Sequence, residues 1–339
     1  MTKVATAIVL SLWCVFPVKA QTALPLKLQQ TIPLPGVTGS FDHFALDLSK
    51  DILFAAAKGN HTVEVVDLKT GKIIQSVRGL EKPHGLAWAA ETHRLYLADG
   101  KLAQLQVYQG NPFKLSGTLK LSDDADDIVY DKQNGMLYVG HGGSDAANPG
   151  RVAVVDAKDF ALAADVPVAA HPEALDLDEQ GQRVFANIAD AAQVVVVNTK
   201  TNAIEDTWKL KDASDNTPMA YDAHDQILFI ACRKPPVLIA LDGTTGREVG
   251  RIPSDAGADD LFYDAKFHRV YVITGSGAID VYSMGASKHL ILLGKVRTES
   301  GAKTGLFVPS QNLLYVGIPG VNGKSAQIRV YRTKPAVSR

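Results

Sequence analysis

Cysteine is almost missing from this 339-residue chain, which carries only Cys14 and Cys232. A chain with so few thiols has no disulfide framework, so its stability must come from packed elements. Charge of one sign is missing too: 35 basic residues face 36 acidic ones, a balance of −1. That excludes a strongly basic surface for nucleic acid or an anionic membrane. Aromatics make up 7% of residues and are mostly consumed by a repeat, leaving no stacking platform for single strands. The motifs G-x-S-x-G, H-E-x-x-H, C-x-x-C and the Walker loop are all missing, so no standard nucleophile, zincin helix or nucleotide cradle is expected. Without C-x-x-C-H there is no haem attachment.

The N-terminus has its own character. Lys3 gives a positive start, Ala5 to Phe16 is an apolar run of twelve, and Val18-Lys19-Ala20 puts small residues at a cleavage site. The run is too short to span a bilayer and reads as a secretory signal peptide. The expectation is residues 1–20 cleaved and residues 21–339 as a single exported domain, in the periplasm or the medium. No later apolar run is long enough for membrane insertion. Cleavage removes Lys3, Lys19 and Cys14 and no acid, so the balance becomes −3 and Cys232 remains alone.

What the chain does have is a repeat. An apolar triplet ending near Asp, several polar residues, then Leu-Tyr-Val or a relative recur seven times. Examples are FDHFALDLSKDILFA from Phe41, ADDIVYDKQNGMLYV from Ala125 and ADDLFYDAKFHRVYV from Ala258. Anchored at Asp47, Ala89, Asp131, Asp178, Asp222, Asp264 and Val308, the copies are 42 to 47 residues apart. A third, β-branched run follows in each, such as TVEVVDL from Thr62 or QVVVVNT from Gln193. Its alternation predicts a half-buried strand. A turn such as Asp67 to Gly71 and an outer strand such as Lys72 to Val77 complete the unit. Four strands per repeat and seven repeats predict an all-β, seven-bladed β-propeller of antiparallel blades. The last unit lacks its outer strand, which Leu26 to Leu34 can supply, closing the ring.

These segments resemble the YVTN-type β-propeller repeat family. Leu137-Tyr138-Val139-Gly140, Val270-Tyr271-Val272-Ile273, Leu314-Tyr315-Val316-Gly317 and the Asp-x-x-Thr-Gly turns carry the likeness across nearly all of residues 21–339, while the Thr-Asn half of the signature is poorly kept. The resemblance implies an exported propeller and leaves function open.

Registering the repeats converts the list into a ring at one channel mouth. Five residues before each anchor stand Asp42, His84, Asp126, Glu173, Thr217, Asp259 and Lys303, and six of the seven can ionise. One residue further are His43, Asp127 and Asp260; just before the ring lie Lys82, Asp124, His171 and Asp215; second-strand ends add Asp99, His141 and Cys232. Converging carboxylates repel unless hydrated, protonated or neutralised by a cation. Three readings stand open: a solvated polar mouth, a divalent-metal site, and a metal-free site for an organic ligand. For a metal, His84, Asp126, His171 and Glu173 are the candidate ligands, with one divalent ion as cofactor. Asp42, Asp99, Asp127, Asp259, Asp260 and Lys303 are candidate ligand-binding residues. The leading expectation is a binding or scaffold protein presenting the mouth to a small molecule or a protein partner. The alternative is a metal-dependent lyase or lactone-type hydrolase with His43 or His141 as general base. Cys232, after Ile227 to Ala231, is expected to be buried and inert.

Overall fold

Aspartate sets the punctuation of each repeat. Asp47, Asp131, Asp178, Asp222 and Asp264 each accept a backbone N–H two or three residues on, at 2.9–3.4 Å. Asp67, Asp156 and Asn198 do the same after the third strands. Such Asx turns reverse the chain and leave strands of four to nine residues between them.

The computed structural model describes residues 24–285 and 289–335. The expected signal peptide, 1–20, lies outside them. Seven four-stranded antiparallel sheets form the blades of a propeller. In the first blade the strands are Phe44–Asp47, Ile52–Ala57, Thr62–Asp67 and Lys72–Val77, counted outward from the channel. The seventh blade borrows its outer strand: Leu26–Pro33 pairs antiparallel with Gln327–Thr333.

The third strands are not half-buried. Each blade is covered on both faces by its neighbours, so Thr62–Asp67 and Gln193–Asn198 are buried at five of six positions. Alternation within them separates two buried faces. Even Glu64 is enclosed, satisfied by the hydroxyls of Thr62 and Ser76 at 2.5 Å. Accordingly the apolar residues form seven clusters, one per seam between blades. Phe54 of the first blade packing on Trp88 of the second, 5.2 Å between ring centres, is typical.

Two kinds of bulge shape the blades. Every outer strand pairs with a register shift, as between Val65 and Val66 or Val196 and Val197, which increases local twist. Four innermost strands slip at their start, between Pro83 and Leu86, Pro172 and Ala174, Asn216 and Met219, and Ala258 and Asp260. The residues released from pairing there include His84, Glu173, Thr217 and Asp259.

Candidate functional site: the channel mouth

Residues freed from a ladder by a bulge can be re-aimed, and here they meet. All seven ring positions line one mouth cavity of about 170 Å³, together with His43, Lys58, Lys82, Asp124, His171 and Arg233. Every blade contributes, and Thr217 alone among these side chains carries no ionisable group. Gly85 lets the second and third blades approach here: a Cβ on it would stand 2.3 Å from the Asp126 carbonyl oxygen.

The first half of the ring is a tight cluster. His84 Nδ1 lies 3.1 Å from Asp42 Oδ2 and 2.8 Å from Asp126 Oδ1. The two oxygens flank the ring nitrogen off its N–H axis, so neither makes a directed hydrogen bond, and Nε2 has none either. Asp126 Oδ2 is 3.3 Å from His171 Nε2, while the His171 Nδ1–H donates to the Gly142 carbonyl at 2.6 Å. With both nitrogens donating, His171 is an imidazolium. Burial alone would lower the histidines, but Asp126 overcomes it and carries His84 and His171 up to about 9. Burial raises the carboxyls, but the adjoining rings outweigh it and hold Asp42 and Asp126 well below the usual carboxylate range. Lys58 Nζ also contacts Asp42 Oδ2, and Lys82 pairs with Asp124 at 2.6 Å. Glu173 makes no ion pair within this set, and burial with the Asp126 charge pushes it up.

The second half is simpler. Asp259 sits between Arg233, in direct contact, and Lys303 at 2.6 Å.

Below the mouth the channel continues as a cavity of about 400 Å³ lined by Phe44, Leu86, Ile128, Met219 and Phe262 among others. His43 borders both cavities, with Nδ1 3.3 Å from Asp260 and Nε2 3.4 Å from Asp42. Burial acts to lower His43, but Asp260 and Asp127 raise it well above its ordinary value. Asp127 and Asp260 fasten blades together. Asp127 accepts the Leu175 N–H at 2.8 Å, and Asp260 accepts that of Gly305 at 2.6 Å. Asp176 does the same for Tyr221 at 2.7 Å.

The structure leaves four predicted mouth residues, His141, Asp99, Asp215 and Cys232, out of both cavity linings. His141 is buried within the third blade, its Nδ1 accepting from the Ser122 N–H at 3.1 Å and its Nε2–H donating to Asp165 at 3.0 Å. Both nitrogens are committed, and burial lowers its pKa. Asp99 is fully enclosed and accepts the N–H groups of Glu81, Lys82 and Leu102, which fixes the backbone that carries Lys82. Asp215 pairs with Lys234 at 3.3 Å. Cys232 is buried in the seam of the fourth and fifth blades, and burial pushes its thiol up to about 12.

Lys58, Arg233 and Asp176 were missed by the repeat register. Lys58 and Arg233 stand at or just past second-strand ends, the same places that drew attention to Asp99 and Cys232. Their charge was the available signal.

No protein-family model matches the chain, and no curated protein does. Solved structures do share its shape. A chain in the crystal structure of the Mitotic Checkpoint Complex is 11% identical, with a TM-score of 0.76, covering 98% of this chain and 99% of that one. The structure of U3-55K is 11% identical, at 0.74, covering 91% and 99%. Kuenenia stuttgartiensis hydrazine synthase is 14% identical, at 0.76, covering 90% and 98%. At such identities the likeness carries the fold alone.

Proposed function

We propose that this is an exported propeller of the YVTN type that holds a small, carboxylate-bearing molecule in its channel mouth. The observation that carries the reading is the division of charge across the cavity. The first four blades bring Asp42, Asp124, Asp126 and Glu173 against Lys58 and Lys82, a balance of −2 before the histidines. The last three bring Arg233 and Lys303 against Asp259, a balance of +1. An anionic end is received by Arg233 and Lys303; on the opposite wall the protonated His43, His84 and His171 offset the carboxylates, so that wall offers polar contacts in place of net negative charge. A space of about 170 Å³ holds about five or six waters, so it suits a small molecule better than a protein side chain with its backbone.

Calorimetric titration with a panel of small amino acids, monocarboxylates and dicarboxylates tests this. Binding that weakens about tenfold in Lys303→Ala, as loss of one charge-assisted contact implies, supports it. Binding by none of the panel, with or without added divalent ions, overturns it. N-terminal sequencing of the protein recovered outside the cytoplasm checks export, with Gln21 as the expected first residue.

A further inference from the structure

We propose that the first-half wall of the mouth binds one divalent first-row transition ion through Asp42, His43 and Asp126, with His84 as the fourth ligand. The inference rests on the mouth being a ligand site, and names an ion that this site takes.

Four observations support it. First, Asp42, His43 and Asp126 each offer a donor atom, and these lie within 4.8 Å of one another. His84 Nδ1 is 3.1 and 2.8 Å from the two carboxylates. Donors bound to a common ion at about 2.1 Å stand about 3 Å apart at right angles. Second, His84 is 4% exposed yet neither ring nitrogen makes a directed hydrogen bond. Native interiors rarely leave such atoms unpartnered. Without an ion those two carboxylates are the counter-charges of His84, so ion and proton compete for its Nδ1.

Third, the ligands have supports of the kind metal sites use. Asp260 engages His43 Nδ1 at 3.3 Å, leaving Nε2 facing Asp42. His171 holds the second oxygen of Asp126 and is a positioning residue. Gly100 makes room for the edge of His84, since a Cβ there would stand 3.2 Å from Nε2 and 2.8 Å from Asp124. Fourth, two imidazoles and two carboxylates suit manganese, iron or zinc, whereas calcium asks for six to eight oxygens. Glu173 falls outside this donor set. Lys58 occupies the Asp42 oxygen that the ion needs, so the two compete.

The test is titration of the tag-free, chelator-treated chain with Co²⁺, Zn²⁺ and Mn²⁺, followed by calorimetry and, for Co²⁺, by visible absorption. One equivalent bound with a mixed imidazole–carboxylate spectrum is expected. His84→Ala should weaken binding at least a hundredfold, and Asp42→Asn serves if that variant does not fold. His224→Ala, which removes an exposed histidine elsewhere, should change nothing, and Lys58→Met should tighten binding. Full metal binding by folded His84→Ala or Asp42→Asn overturns the assignment. So does an absence of binding at millimolar ion. If a small carboxylate binds in chelator while no metal does, the ion falls and the ligand site stands; silence from both removes both.

Discussion

The two halves of the mouth hold similar residues and solve opposite problems. Across the fifth to seventh blades one carboxylate, Asp259, is shared by two cations whose side chains are 26% and 31% exposed. Water reaches the two cations, and the group keeps a net charge of +1. Across the first four blades carboxylates outnumber fixed cations, and the imidazoles that answer them are nearly enclosed. One half is an ion-pair triad whose cations reach solvent; the other is a buried polar network whose members depend on one another.

Removing one carboxylate from each half is the sharpest test of that contrast. Asp126→Asn removes the counter-charge of His171 and the nearer of the two facing His84 and should cost about 3 kcal/mol. Asp259→Asn should cost no more than about 1 kcal/mol, since its partners face water. Urea unfolding at neutral pH, in chelator, compares them; equal losses would abolish the distinction. The network also has a pH signature. His84 and His171 stand at about 9 when folded, against 6.5 in the unfolded chain. Their contribution is complete below 6.5 and is lost as pH climbs through 9. The wild-type midpoint should fall over that window, and that of Asp126→Asn should fall less, since His43 keeps Asp260 and Asp127 and His84 keeps Asp42.

Asp260→Ala comes next in size. It leaves the Gly305 N–H without its acceptor and should cost about 2 kcal/mol, with little dependence on ionic strength. Asp176 adds a slope at lower pH. Burial outweighs its two backbone donors and pushes it up to about 7, so between 4 and 7 it is protonated when folded and ionised when unfolded. Stability therefore declines as pH rises over that interval, and Asp176→Asn should flatten the decline in urea titrations. Smallest of all is Lys303→Ala, worth under about 1 kcal/mol in stability; an unfolding loss well above that would make Lys303 part of the buried network.

The blades were legible because one chemistry recurs: an Asx turn in five of the seven first hairpins and after several third strands, with strands of four to nine residues between. The ring was legible for the same reason, since five residues separate it from the anchor in every copy. Side-chain direction was not. His141 and Asp99 sit at equivalent strand ends to Lys58 and Arg233, yet turn to Asp165 and to local backbone. Nothing in the spacing distinguishes them, because their partners come from an outer strand and a turn. The third strands misled differently, as alternation tells two faces apart without saying that one of them is wet.

The pairing of Leu26–Pro33 with Gln327–Thr333 has a kinetic and mechanical meaning. A linear stack of repeats has end units with a single neighbour, and these fray first. In a closed circle each blade has two neighbours, so loss of one seam opens the whole arrangement and the mouth with it. Formation of the mouth then waits on the pairing of Leu26–Pro33 with Gln327–Thr333, and hydrogen exchange should find the seven blades opening as one cooperative unit.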